Sequence, residues 1–411
     1  PTGAYRGAGR PEAAAAIERA VDAFALEIGM DPAEVRRRNF LQPSDFPLTT
    51  KTGSAYDSGA YEASLDAAIS ASDYQGLRNE QELRRSSGNK QLLGIGLASY
   101  VERTAGAGRS EYGAVELLAG GKIRARTGST PYGQGHETAW AMLIADATGV
   151  EMTDIEVVYG DTDQVPQGGI TGGSRSVQLA GSAIWESSLA LVEQAKKIAA
   201  ELLEASESDL SLDPGGGRFH VLGTPAIGIS WSEIAEFLEP DASGPRLLHA
   251  EEVFDSEGPT FPFGTHVAVV EVDSETGAVH LSRLVACDDA GVILNPLLAD
   301  GQVHGGLAQG AAQALIEEFR YDADGNPLTS NFADYPVISA AELPMFERVV
   351  LETPTHINPL GAKGIGESGT VGATPAIQNA VIDALSHLGV QHIDMPLTPE
   401  KVWQTINSLQ S

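Results

Sequence analysis

One carboxylate stands out by its setting. Glu367 lies in GAKGIGESGTVGATPAIQNAVIDALSHLG, residues 361–389, a glycine-rich loop expected to run into a helix opened by Pro375 and closed by Gly389. Glycine leaves such a backbone free to take φ > 0, so an ionisable group held there is a candidate catalytic residue. The same pattern also fits a surface glutamate in a turn. Three further glycine-rich loops are expected to enter helix N-termini: AYRGAGRP, PYGQGHE and ITGGSRSV. Unpaired N–H groups and a partial positive charge make such starts suitable for anions. Arg6 and Arg10 in the first loop, and Arg175 beside the hydroxyls of Thr171, Ser174 and Ser176 in the third, suit phosphate or pyrophosphate. With 46 glycines in the chain a single loop carries little, but four together point to an anionic cofactor. None matches G-x-x-x-x-G-K-[ST], and none follows a strand as G-x-G-x-x-G, which argues against a standard ATP or NAD site. His136 could serve as a metal ligand or a base, but a lone histidine at a helix start is more often a cap or core residue, and the same holds for His304; no Ser/His/Asp triad can be argued from spacing.

Positioning these loops requires both element types. Helices are expected after Pro11, after Pro32, over 59–85, from the GQG loop to Gly149, from about Ser176 to Glu204, over SWSEIAEFLE and from Pro399. GIGLASYVER, a hairpin around the GG of VELLAGGKIRART, IEVVYGD, FHVLG, FERVVLETP and a long hairpin turning at Glu275-Thr276-Gly277 read as strands. DGQVHGGLAQGAAQALIEEF reads as a glycine-interrupted helix. Without βαβ regularity, the expected class is α+β. The polar stretch SESDLSLDPGGG, 206–217, is the expected linker between domains at 1–205 and 218–411.

Length and composition narrow the function classes. The 411 residues suffice for two domains. No apolar run approaches the length of a transmembrane helix, so no membrane association is expected. The N-terminal residues lack signal-peptide order. The lone cysteine, Cys287, allows no intrachain disulfide and no Cys/His cluster for zinc or iron–sulfur, and suits a reducing, cytoplasmic setting. A formal charge of −30 argues against a nucleic-acid partner. The abrupt start at Pro1 suggests a fragment, a processed chain or one part of a split polypeptide.

The motifs AYRGAGRPEA, GQGHET, GDTDQVPQGGITGGSRS with LAGSAI, DDAGVILNP with GQVHGGLAQG, and KGIGESGTVGATPAIQNAVIDAL occur here in one order. Together they resemble the C-terminal half of the molybdenum-binding large subunit of the xanthine dehydrogenase/aldehyde oxidase/carbon monoxide dehydrogenase family. A GGFG-type loop expected upstream in that family is absent from this chain. The resemblance implies the molybdopterin-binding fold in two subdomains and a molybdopterin cofactor, in bacterial relatives commonly the cytosine dinucleotide. It makes Glu367 the general base for hydroxylation of an N-heterocycle or aldehyde carbon. By the same resemblance Arg6 and Gly7 lie in the loop near the metal. Gly133, Gln134, Gly135 and Gln302 contact the pterin, and Thr171, Gly172, Gly173, Ser174, Arg175 and Ser176 hold the dinucleotide phosphates. No side chain of this chain is expected to ligate the metal. Iron–sulfur and FAD centres would lie in partner chains, beside an N-terminal half if the large subunit is split. In copper-containing carbon monoxide dehydrogenases the first loop reads AYRCSFR; Gly7 replaces that cysteine here, which disfavours CO oxidation. Ala8 stands where some relatives place a phenylalanine against an aromatic substrate. A non-catalytic pterin- or nucleotide-binding carrier is the competing reading, and Glu367 counts against it.

Overall fold

The computed structural model describes residues 3–106, 108, 110–213, 215–238 and 247–409. They form two compact units: Pro1–Thr104, Thr260–Thr355 and Lys363–Ser411 in the first, Ala105–Pro259 and His356–Ala362 in the second. The expected linker at 206–217 is no boundary. Leu210–Asp213 is a strand paired antiparallel with Arg218–Val221, inside the second unit. The glycines between them make a turn in which Gly217 N–H donates to the Asp213 carbonyl at 2.9 Å. Polar, glycine-rich sequence marks a hairpin turn as readily as a linker.

The first unit is built on a four-stranded sheet ordered Glu347–Leu351, Val279–Asp289, Phe263–Asp273 and Gln91–Val101. The central hairpin and the Gln91–Val101 edge are antiparallel; Glu347–Leu351 adds in parallel. Alternation divides each strand between two cores. Leu92, Ala98, Ala268, Val270 and Val272 face helices Pro296–Leu315, Ser368–Leu385 and Pro399–Ser408. Ile95, Leu97 and Val267 face Pro32–Asn39, Tyr61–Ser72 and Tyr74–Ser86. A register shift between Val269 and Val270 reverses the parity on the partner strand, so that Leu281 and Leu284 share one face. A sheet covered on both sides reads as near-continuous apolar sequence.

The helix Ser368–Leu385 fills the centre of this unit, and every residue in it except Asp383 is buried. It starts seven residues before the expected opening at Pro375, which lies inside it and cannot donate to the carbonyl four residues back. Packing overrides the glycine and proline signals. On one side a Cβ at Gly94 or Gly96 would run into the carbonyl oxygens of Ala380 and Ala376, so only glycine lets the strand approach the helix backbone. On the other side a Cβ at Gly306 would lie 2.9 Å from Gly369 Cα. Thr370 Oγ1 donates to the Gly306 carbonyl at 3.1 Å. Pro296–Leu315 is thus one unbroken helix whose glycines serve a close crossing.

In the second unit, the sheet runs His249–Asp255, Ser110–Leu117, Ile123–Thr127 and Ile155–Val158, with only the last pair parallel. Helices His136–Thr148 and Ser182–Leu202 cover it with buried Trp140, Ile184 and Leu191. The expected helix from Ser176 begins as one wide turn, Val177–Gly181, before Ser182–Leu202. The two parallel contacts leave the class α+β. Among the described residues no helix is long and apolar enough to cross a membrane.

Candidate active site

In the first unit, the Glu367 loop is fixed at both ends. At its start Lys363 is buried: its backbone N–H donates to the Ala290 carbonyl at 2.7 Å. Its Nζ donates to the Ser58 and Phe261 carbonyls at 3.3 and 3.4 Å and lies 3.9 Å from the Asp57 carboxylate. Burial lowers the Lys363 pKa from its ordinary value, opposed by Asp57 and Asp289. At the loop's end Glu367 itself caps the Ser368–Leu385 helix: its carbonyl accepts from the N–H groups of Thr370 and Val371 at 3.0 and 3.2 Å. The side chain is buried at 8% exposure. Its Oε1 accepts from Gly7 N–H at 2.9 Å.

The first loop meets Glu367 through a strained backbone. Gly7, Ala8 and Gly9 have φ of +108°, +50° and +86° in succession, a run that glycine makes affordable and that alanine rarely enters. A Cβ at Gly7 would lie 2.5 and 2.6 Å from the ring carbons of Pro11. Arg6 holds this loop in place. Its guanidinium donates to the Gly366 carbonyl at 2.5 Å, the Gln302 carbonyl at 2.7 Å and Gln309 Oε1 at 3.1 Å, with Gln302 Oε1 at 3.4 Å. Arg6, Gly7, Gln302 and Glu367 are therefore brought together, with Arg6 and Gln302 acting on each other.

A second carboxyl, Glu102, adjoins this group and was not singled out from the sequence. It follows strand Gln91–Val101 and is fully buried. Ser368 Oγ donates to its Oε2 at 3.1 Å, and the Glu367 carboxyl is a hydrogen-bond neighbour. Burial, then the Glu367 charge, holds Glu102 well above the usual carboxylate range. The only signal in the sequence is a glutamate directly ending an apolar strand, VER, which is also how strands commonly reach solvent. Lys363 and Asp57 were likewise missed, since nothing local links positions so far apart.

In the second unit, Gly133 and Gly135 take φ of +96° and +81°, and Gly135 caps helix His136–Thr148. Gln134 lies between them, its Oε1 accepting from Tyr132 N–H. The His136 ring stacks near Trp140 with centroids 5.3 Å apart, and burial lowers its pKa, as suits a core residue. Three hydroxyls converge on one another: Ser129 to Ser176 at 2.7 Å, Thr171 to Ser176 at 3.3 Å and Ser129 to Thr171 at 3.4 Å. Gly173 and Ser174 turn the loop with φ of +67° and +52° after Gly172, and space beside Gly133 and Gly173 would admit no contact within 4 Å of an added Cβ. Arg175, expected against a phosphate, is charge-matched inside the protein: it pairs with buried Glu111 at 3.1 Å and donates to the Ser110 carbonyl at 3.0 Å. Hydroxyls, open glycine backbone and a helix start form a donor set that fits an anionic cofactor. His304 lies in the first unit against Phe346, with ring centroids 5.8 Å apart. Among the described residues no group of three or more His, Cys, Asp or Glu side chains could hold a metal ion.

A family model described as a molybdopterin cofactor-binding domain matches residues 67–344, and a second of the same description matches 1–40. The chain is 38% identical over 408 residues to the carbon monoxide dehydrogenase large chain of Hydrogenophaga pseudoflava, covering 96% of this chain and 51% of that one. It is 33% identical to the nicotine 6-hydroxylase large subunit of Paenarthrobacter nicotinovorans, over 98% of this chain and 50% of that one. Among solved structures it resembles a Cu,Mo-CO dehydrogenase (TM-score 0.92, 34% identity, 98% of this chain and 53% of that one). It also resembles quinoline 2-oxidoreductase from Pseudomonas putida 86 (TM-score 0.91, 32% identity, 99% and 53%). The chain spans about half the length of the curated relatives it matches.

Proposed function

Because this chain belongs to the molybdopterin cofactor-binding domain family, we propose that it is the catalytic half of a molybdenum hydroxylase large subunit. The reaction proposed is oxidative hydroxylation of a C–H bond in an N-heterocycle or aldehyde. Water supplies the oxygen, and two protons and two electrons leave for each hydroxyl formed. The cofactor, in the cytosine dinucleotide form, supplies the two-electron redox chemistry when bound. The electrons would pass to iron–sulfur and FAD partner chains, since Cys287 is the only cysteine here and is buried. An N-terminal half of the large subunit would complete the substrate pocket.

The observation that carries this reading is the seating of Glu367. A general base must reach the proton it removes and must be held in one orientation. Glu367 stands at a helix start, braced by Gly7 N–H, on a loop tied down by Lys363 and Arg6. It would take the proton from the attacking water-derived oxygen. In the second unit the N-terminus of His136–Thr148 and the Ser129, Thr171 and Ser176 hydroxyls would hold the anionic parts of the cofactor. A carrier that only binds pterin has no use for a buried, oriented carboxylate. The Glu367→Gln complex should keep molybdenum and pterin yet lose about 10²–10⁴-fold in turnover with aldehydes or N-heterocycles in a dye-reduction assay. Turnover intact would reject the base and favour the carrier.

One observation favours CO oxidation, the 38% identity to a carbon monoxide dehydrogenase large chain. Gly7 opposes it, because the copper-binding thiolate of the AYRCSFR loop has no counterpart at this position. CO-dependent dye reduction by the purified complex decides between them, and none is expected.

A further inference from the structure

The buried carboxyl beside Glu367 has no role in the reading above. Glu102 is 0% exposed, and its backbone N–H donates to the Pro262 carbonyl at 2.9 Å, which fixes where its side chain starts. Ser368 Oγ satisfies Oε2 at 3.1 Å. No donor among the described residues reaches Oε1, and the Glu367 carboxyl is in hydrogen-bonding contact with the group. Two ionised carboxylates offer each other only acceptors, and buried as these are their repulsion is large. One proton between them converts that repulsion into an O–H···O⁻ bond, among the stronger hydrogen bonds available to a protein.

The surroundings decide which carboxyl holds the proton. Glu367 already accepts from Gly7 N–H and sits at a helix N-terminus, where negative charge is favoured. Glu102 has neither. The charged and titratable groups facing it are Glu367, Arg10 and Arg6, with Tyr100 on the strand that precedes it. Among the described residues neither arginine forms an ion pair with Glu102: Arg6 is committed to Gly366, Gln302 and Gln309, and Arg10 donates to the Gly7 carbonyl at 3.0 Å. Tyr100 in turn donates to Asp288 Oδ1 at 2.6 Å, and the same oxygen lies 2.8 Å from His266 Nε2, so the Tyr100 hydroxyl is not directed at Glu102.

The geometry points to Glu102 as a positioning residue: a protonated carboxylic acid that donates its hydrogen bond to Glu367 and, with Gly7 N–H, fixes the direction of that carboxylate. The pair then carries one proton and one negative charge at rest. When Glu367 takes up a proton the pair holds two and is neutral, so turnover leaves no second charge stranded in the interior. This catalytic consequence rests on Glu367 being the base; the shared proton does not.

Infrared spectroscopy of the purified complex tests the shared proton directly. At about pH 8 free carboxyls are ionised, so the wild-type-minus-Glu102→Gln difference spectrum should show the carbonyl stretch of a protonated acid, shifted in heavy water. Glu367→Gln should keep that band, and Ser368→Ala, which removes the Oε2 donor, should move its frequency. A band unaffected by Glu102→Gln, or no band at all, overturns the proposal even if Glu367→Gln is inactive. A band that behaves as expected, with Glu367→Gln fully active, leaves the shared proton standing and rejects the base. In the kinetics, Glu102→Gln retains an N–H donor and should stay within about 10-fold of wild type. Glu102→Leu cannot donate, and the acidic limb of its kcat/KM profile should move up by about one pH unit, the loss of one hydrogen bond. Identical pH profiles for wild type, Gln and Leu variants refute the positioning role.

Discussion

Replacing Gly7 probes the residue on which the proposal against CO oxidation rests. Any side chain there meets two obstacles. The first is backbone: at φ of +108° a residue with a Cβ is strained by about 1–3 kcal/mol. The second is steric. The added Cβ would lie 2.5 Å from Pro11 Cδ and 2.6 Å from Cγ, against the about 3.5–4.0 Å of an ordinary carbon contact. Those ring atoms are tied to the first turn of helix Arg10–Glu27 and cannot swing away as a flexible side chain would. Overpacking of this kind adds about 1–3 kcal/mol, so Gly7→Ala and Gly7→Cys should each lose about 2–6 kcal/mol. Denaturant titration of the purified complex measures this. Pro11→Ala in the same chain should recover the steric part and leave the backbone part, giving a coupling of about 0.5–3 kcal/mol in the double-mutant cycle. A Gly7→Ala protein within about 0.5 kcal/mol of wild type would refute the strain argument.

Other expectations follow from buried charge. Glu102 has a folded pKa raised above its unfolded value by burial and by Glu367. Its stabilising contribution is therefore complete below the unfolded value of about 4.5 and is lost as pH rises toward the folded one. Glu102→Gln should thus gain stability relative to wild type as pH rises above about 4.5, and a wild-type advantage that grows with pH would contradict the sign. Cys287 is fully buried, and burial pushes its thiol up to about 12. About one molecule in 10⁵ carries the thiolate near pH 7, so alkylation should be seen only on unfolding, and rapid labelling of the native complex would place Cys287 elsewhere. Lys363→Met leaves Asp57 as an uncompensated charge with no exposed side-chain surface, which should cost about 3–5 kcal/mol. Adding Asp57→Asn should restore most of it, and a denaturation midpoint unchanged in the single variant would show the pair to be dispensable.

Much of this architecture was legible locally. The long hairpin, the GG hairpin, the helices after Pro11, Pro32 and Pro399 and the helix starts at Gly9 and Gly135 follow from alternation, turn residues and caps, which act over a few residues. The five motifs in one order resembled those of the family. Boundaries set by packing were not legible. Pro375 looked like a helix start because proline favours that place; only the strand at Gly94 and Gly96 and the helix at Gly306 make the preceding residues helical. The stretch 206–217 looked like a linker because polar glycine-rich sequence serves turns and linkers alike.

The site divides in the same way. The sequence by itself determined that Glu367 is a carboxylate on a loop able to approach another backbone, and that hydroxyls at 171, 174 and 176 stand on a tight turn. Tertiary structure decided what those groups meet. It spent Arg6 on Gly366 and Gln302, matched Arg175 with Glu111, and set the Gly7 N–H on Glu367. It also placed Glu102, 265 positions from Glu367 (367 − 102), against the same carboxyl. Spacing along a chain carries the conformational preferences of neighbours, but the protonation and orientation of a buried group depend on partners that only the folded packing brings within a few ångströms.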